Sequence, residues 1–149
     1  MKRFRFRLQS LLELGRRRRE MAAREFSQAQ AKLTGLESEL AQTQQIRAAE
    51  GRELTQNGAR ALVHTLQQLD RRLDALDQHV RRLHVNRRAQ RAQVERQRND
   101  FLEKRRDEEK LARLRERRHE AWRILRQRDE QAELDETASQ RADRSGKAT

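Results

Sequence analysis

The chain has 149 residues, of which 40% are charged, 34% are hydrophobic and 3% are aromatic, and its formal net charge is +12. Such a composition argues against an ordinary globular core, because so few apolar groups struggle to offset the entropy of ordering the chain. Cysteine is absent, which excludes a disulfide framework, and we see no membrane span or signal peptide. We therefore expect a soluble cytoplasmic protein.

The first half of the chain carries an apolar run in heptad phase. The run consists of Ala22, Phe26, Ala29, Leu33, Leu36 and Leu40, and it extends in phase back to Leu12 and Leu8 and forward to Leu54. Apolar residues spaced alternately by three and four positions are typical of one side of a coiled coil. Proline, the commonest helix breaker, is absent. The pattern predicts a first helix at about residues 4–56.

The sequence Asn57-Gly58 interrupts this pattern. Both residue types tolerate a positive φ, and glycine is the usual helix terminator, so we predict a turn at about residues 57–59. A second helix is predicted at about residues 60–140. The aperiodic segment 141–149 is predicted to fray.

The second half carries the clearer heptads. They consist of Leu62, Leu66, Leu69, Leu73, Leu76, Val80 and Leu83, followed by the mixed set Arg87, Gln90, Val94, Gln97, Phe101, Lys104, Glu108 and Leu111. A narrow apolar stripe must be buried against another stripe, and a short turn makes neighbouring helices antiparallel. The sequence therefore predicts an all-α fold: a single coiled-coil domain over residues 1–149, built as a long antiparallel hairpin of two helices.

Folding the chain about position 57 or 58 also predicts which residues pair. It places Leu33 near Leu83, Leu40 near Leu76, Leu54 near Leu62, and Leu8 near Leu111. Helix two then outruns helix one beyond about residue 112. In this arrangement Trp122, Ile124 and Leu125 have nothing in the same chain to cover them.

The arginine-rich charge has two interpretations. It could attract nucleic acid phosphates or an acidic surface, or it could be the solvated flank of a coiled coil. Acidic residues are interleaved with the basic ones, as in segment 103–110, and no basic block runs into a parallel zipper. We therefore expect no nucleic acid partner.

Motifs that carry catalysis are scarce in this sequence. It has no glycine-rich phosphate loop, and Glu116 with His119 is a single Glu-x-x-His pair without its mate. We predict a protein that is not an enzyme, with no cofactor and no metal.

Both ends of the chain resemble one family. Residues 1–12 resemble the F-x-F-x-L-Q-x-L-L start of FliJ-type flagellar export proteins, a family related to the stalk proteins of virulence-type secretion systems. Segment 111–118 is similar to that family's leucine- and arginine-rich stretch, and segment 129–136 is similar to its Gln-x-x-x-Asp-Glu tail. The F-x-F start favours the flagellar branch.

The resemblance implies a role in flagellum biogenesis and motility. Such proteins are accessory parts of the flagellar type III export apparatus, and they look like the central stalk subunit of rotary ATPases. The resemblance implies three partners: the ring of the export ATPase, the cytoplasmic domain of the export gate, and export chaperones. It also implies a cytoplasmic protein, peripherally associated with the inner face of the membrane at the flagellar base.

Analogy with the stalk subunit assigns two sets of candidate residues. The ATPase set lies at the end of the hairpin that holds both termini and comprises Phe4, Phe6, Leu8, Leu11, Leu12, Leu111, Leu114, Trp122 and Leu125. The gate set is Leu69, Leu73 and Leu76, where the family often has aromatic residues. These leucines are in heptad phase, and residues of both sets could instead be ordinary core. The alternatives to the export role are a generic coiled-coil scaffold or dimerisation rod, and a basic nucleic-acid-binding helical protein.

Overall fold

Two long helices account for almost all of the structure, a computed structural model that describes residues 3–60 and 62–146. Helix α1 spans Gln9–Asn57 and helix α2 spans Val63–Gly146. The described residues contain no strand. The two helices pack against each other, so the prediction of an all-α helical hairpin is confirmed. That the chain forms one domain stays a prediction.

The ends of both helices differ from the sequence-based bounds. Helix α1 begins at Gln9 rather than near residue 4, because residues 3–6 are not helical. Phe4 and Phe6 lie two positions apart, and only an extended backbone directs both rings to one face. Helix α2 continues to Gly146, past the predicted end near residue 140, while residues 147–149 of the predicted frayed tail lie outside the described residues.

Burial follows the heptads on both helices. On α1 the buried residues Leu12, Ala22, Ala29 and Leu40 are separated by steps that keep the three-four spacing, and Thr43 and Glu50 continue the same pattern. On α2 Leu83 is buried, and the mixed set from Arg87 to Leu111 is half-buried at each of its positions. The contact face of each helix is therefore the one that the periodicity predicts, and near the connection it includes polar side chains.

The connection between the helices covers residues 58–62 and is longer than the predicted turn. Leu62, which the heptad pattern places in the apolar run, precedes α2 and is 80% exposed. Gly58 donates a backbone hydrogen bond of 2.9 Å to the carbonyl of Leu54, and no described glycine has a positive φ. The turn thus lies where Asn57-Gly58 predicts it, but it does not use the left-handed conformation.

We expect Gly58→Ala to destabilise the protein and Gly51→Ala to stabilise it. A Cβ on Gly58 would lie 2.5 Å from the carbonyl oxygen of Leu54, a backbone atom that cannot move aside cheaply. A Cβ on Gly51 meets nothing within 4 Å, and alanine is better than glycine in a helix by about 1 kcal/mol. Thermal unfolding of both variants should give midpoints on opposite sides of the wild type. A raised midpoint for Gly58→Ala would contradict the close approach.

The pairing of the two helices differs from the predicted pairing. Glu39 contacts His79, Arg47 contacts Asp77, and Phe26 contacts Phe101. A fold about position 57 or 58 predicts a partner on α2 for each residue of α1. The observed partners lie farther along α2 than the predicted ones, by about one heptad on average. A shift of seven residues keeps the same faces in contact, so the heptad pattern could not detect it. The predicted pairs Leu33–Leu83, Leu40–Leu76, Leu54–Leu62 and Leu8–Leu111 are therefore wrong.

The chain divides into two compact units, which we call the terminal unit (residues 1–19 and 104–149) and the central unit (residues 20–103). In the central unit Phe26 and Phe101 stack with ring centroids 6.3 Å apart, and Gln90 donates a 3.0 Å hydrogen bond to the carbonyl of Ala29. Arg47 and Asp77 form an ion pair, and the hydrogen bond from Arg47 lowers the pKa of Asp77. Polar contacts thus supplement a thin apolar interface.

Candidate functional site

The terminal unit begins with an aromatic cluster that joins the N-terminal segment to α2. The ring of Phe4 lies 5.0 Å from the ring of His119 in an edge-to-face arrangement and 5.9 Å from the ring of Trp122. The guanidinium of Arg126 lies over the Trp122 ring at 5.5 Å, and that of Arg118 lies over the Phe6 ring at 6.0 Å. These ring and cation–π contacts hold residues 3–8 against α2.

Buried side chains anchor the same segment. Leu12 is 0% exposed, and Phe6 is also buried. Beside them Glu108 forms ion pairs with Arg16 at 3.5 Å and with Arg19 at 2.6 Å. Partly exposed pairs of this kind contribute little to stability, so the buried apolar side chains hold this end of the molecule together.

A basic groove opens beside the aromatic cluster. Its cavity has a volume of about 460 Å³ and is lined by Phe4, Arg5, Phe6, Arg7, Gln9 and Arg115. Three of these six residues are arginines, and none of the described lining residues is acidic. We call this cavity the basic groove. A cleft lined by like charges and aromatic rings is suited to an anionic partner.

Two further cavities flank α1 in the terminal unit. One of about 450 Å³ is lined by Leu12, Arg16, Glu109, Ala112, Arg113, Arg115, Glu116 and His119, and its charges are of both signs. A smaller one of about 200 Å³ is lined by Leu11, Leu14, Gly15, Arg18, Lys104, Asp107 and Leu111. The smaller cavity places two exposed leucines of α1 next to a half-buried leucine of α2.

The last part of α2 is exposed beyond the aromatic cluster. From residue 127 to residue 142 every described residue is exposed, and Leu125 and Leu134 are among the large apolar side chains in contact with solvent. Segment 129–136 contains Asp129, Glu130, Glu133, Asp135 and Glu136 and no lysine or arginine. We call it the acidic segment, and it contrasts with the basic character of the chain as a whole.

The residues predicted for ATPase contact do not form one exposed surface. Phe6 and Leu12 are buried, Leu11 and Leu125 are exposed, and the remaining members Phe4, Leu8, Leu111, Leu114 and Trp122 are half-buried. The expectation that nothing in the chain covers Trp122 is wrong, because the ring of Phe4 lies against it and Trp122 is half-buried. Ile124 and Leu125 are exposed as predicted.

The residues predicted for the export gate lie in the central unit. Leu69, Leu73 and Leu76 are all half-buried, as their heptad phase requires. Their role as a gate surface stays a prediction.

Several residues of the site escaped the sequence analysis. Arg5, Arg7 and Arg115 line the basic groove, and the exposed His119 contacts the rings of Phe4 and Trp122. The alternation of arginine and phenylalanine in segment 3–7 was the available signal, because a period of two predicts an extended segment with a basic and an aromatic face. Contacts between chain ends carry no comparable signal in the sequence.

The described residues provide neither a metal site nor a membrane-spanning helix. Within residues 3–60 and 62–146, no cluster of three or more histidine or acidic side chains could hold a metal ion. In the same part of the chain, neither helix has a stretch long and apolar enough to cross a lipid bilayer.

Fold and site together define a class of protein: a two-helix hairpin whose chain ends build a basic and aromatic unit. Comparison with known families identifies one family for the chain. The family described as FliJ, flagellar FliJ protein, matches residues 4–147, which is nearly the whole chain, so the chain belongs to the FliJ family. The family is a non-catalytic one of flagellar export, and a role in flagellar protein transport follows. No curated protein matches the chain, and neither does any solved structure.

Proposed function

We propose that this chain binds the ring of the flagellar export ATPase through its terminal unit, in the manner of a central stalk. The observation that carries the proposal is the pair Leu11 and Leu14, which are exposed on α1 of a chain that belongs to the FliJ family. Both lie within the first two turns of the helix and share a cavity with Leu111. Exposed apolar side chains beside polar ones are the usual anchors of a protein interface.

Most of the other residues in the predicted ATPase set do not belong to this exposed surface but hold it in place. Leu12 and Phe6 are buried, and Phe4 holds the N-terminal segment against Trp122 and His119. A surface that is fixed in advance loses less entropy on binding. We therefore assign direct contact to Leu11, Leu14 and Leu125, and positioning to the buried and half-buried members.

Leu11→Asp is expected to weaken binding to the export ATPase by at least about tenfold, because a buried unpaired carboxylate in an interface is costly. Binding is measured by capture of the ATPase from the same cell at moderate salt, with ATP turnover followed in parallel. Ile46→Asp is the matched control, since Ile46 lies on α1 and is 51% exposed against 47% for Leu11. Equal binding by both variants would refute the assignment of this surface.

The remaining partners are proposed on the family resemblance alone. Leu69, Leu73 and Leu76 would contact the cytoplasmic domain of the export gate through the parts of their side chains that reach solvent, and export chaperones would bind elsewhere on the hairpin. These contacts would hold the protein at the cytoplasmic face of the membrane at the flagellar base. Capture with the purified gate domain tests the second partner directly.

A scaffold or dimerisation rod and a nucleic-acid binder remain the competing functions. Membership of the FliJ family weighs against a rod without specific partners. For nucleic acid the support is the net charge of +12, and on both helices acidic side chains pair with arginines. DNA affinity that falls steeply with added salt would revive that alternative.

A further inference from the structure

We propose that two copies of this chain associate through their terminal units, with the acidic segment of each copy lying against the basic groove of the other. Three independent features of the terminal unit lead to this pairing. They are a groove without acidic residues among those described, a segment without basic ones, and one exposed apolar side chain, Leu125, about midway between them.

The groove and the segment are complementary in charge. Arg5, Arg7 and Arg115 line the groove, while the acidic segment carries five carboxylates over eight residues of exposed helix, of which Glu130 is already paired with Arg126. The groove also holds Phe4 and Phe6, and the segment contains the exposed Leu134. The positive charge of the groove therefore complements the negative charge of the segment, and each surface also carries apolar side chains.

The acidic segment cannot reach the groove of its own chain. Arg115 and Asp129 belong to the same uninterrupted helix α2, which extends to Gly146. At a rise of 1.5 Å per residue, the start of the segment lies about 21 Å along the helix from the groove. A helix cannot fold back on itself over that distance without a break, so the occupant comes from another molecule.

A second copy satisfies both surfaces at once. If two α2 helices lie side by side and antiparallel, the position midway between Arg115 and the middle of the acidic segment lies at the two-fold axis. That position is residue 124. The side chain of Ile124 lies on the opposite side of α2 from Arg115 and Glu133, whereas the exposed Leu125 lies beside the axis at the edge of the pairing. The pairing thus has charged contacts on either side of the two-fold axis and an apolar contact at its edge.

Charge-reversal variants of the full chain test the pairing. Their self-association is measured by sedimentation over a range of protein concentrations. The first variant, Glu133→Arg with Asp135→Arg and Glu136→Arg, reverses the segment. The second, Arg5→Glu with Arg7→Glu and Arg115→Glu, reverses the groove. We expect the wild type to dimerise and each variant alone to lose at least about tenfold in self-affinity. An equimolar mixture of the two should form heterodimers, since each segment then meets a groove of opposite charge.

The controls separate this pairing from general electrostatics. Each substitution changes the charge by two, so the variants carry +18 and +6 against +12 for the wild type, and non-specific attraction between them is not expected. Arg60→Glu with Arg82→Glu and Arg88→Glu makes the same change at exposed positions of the central unit and should leave the dimer intact. A monomeric wild type, dimers of either reversed variant, or no heterodimer in the mixture would each overturn the proposal.

Disulfide cross-linking provides a second readout that needs only one exposed substitution. The sequence contains no cysteine, so an introduced thiol reports a single position. Residue 125 lies next to the two-fold axis, so Leu125→Cys should form a disulfide-linked dimer under mild oxidation. Residue 134 of one copy lies far from residue 134 of the other, so Leu134→Cys should not. Equal cross-linking at both positions would overturn the antiparallel arrangement.

Discussion

Leu12→Ala is expected to lower the free energy of unfolding of the terminal unit by about 2–5 kcal/mol, the range observed when a fully buried leucine is truncated. Leu12 is the one large side chain with no exposure among the described residues, and it lies directly after the segment that carries Phe4 and Phe6. Its removal leaves a cavity where α1 begins. The N-terminal segment should then detach from α2 more readily.

The measurement is denaturant unfolding followed by tryptophan fluorescence. Trp122 is the single tryptophan of the chain and contacts Phe4, so its emission reports the terminal unit selectively. Leu11→Ala is the control, because Leu11 is half exposed and a surface substitution usually changes stability by no more than about 0.5 kcal/mol. Equal unfolding midpoints for the two variants would show that Leu12 is not the anchor.

Leu40→Ala and Leu83→Ala are each expected to cost about 2–5 kcal/mol, and their effects should not be additive. Both leucines are buried, and the average of the contacts of Glu39 with His79 and of Glu37 with Arg91 assigns Leu83 as the partner of Leu40. A double-mutant cycle should give a coupling free energy of about 0.5–3 kcal/mol, the usual range for residues in contact.

The control cycle uses the pair that a simple fold about Asn57-Gly58 predicts. Leu40→Ala combined with Leu76→Ala should be additive within about 0.5 kcal/mol, because residues that are far apart act independently. Coupling of Leu40 to Leu76 and not to Leu83 would mean that the helices pair one heptad away from the arrangement described.

The site has a consequence for how the hairpin works in export. The surface proposed for the ATPase and the surface proposed for a second copy both include Leu125, at the exposed end of α2. Binding of one partner would then exclude the other at that residue. A dimer that forms when no ATPase is present would cover apolar side chains that otherwise face water.

Much of the fold could be predicted because its signals are local. The three-four spacing of Ala22, Ala29 and Leu40 predicted the buried face of α1, and the same rule assigned half-buried positions to Arg87 and Glu108 on α2 despite their charge. Periodicity depends only on the geometry of one helix, which the backbone fixes. The absence of proline and the glycine at position 58 predicted how many helices form.

The pairing of the helices and the composition of the site were not accessible in this way. A slide of one heptad preserves every apolar position on both helices, so only contacts such as Arg47 with Asp77 distinguish one pairing from the next. That slide, together with the non-helical backbone of residues 3–6, brings Phe4 against Trp122. The sequence by itself therefore determined the helices, their contact faces and the family. The tertiary structure alone decided the pairing, the burial of Leu12 and the basic groove, because these arise from contacts between residues that lie from 30 to more than a hundred positions apart, for which a repeating pattern holds no information.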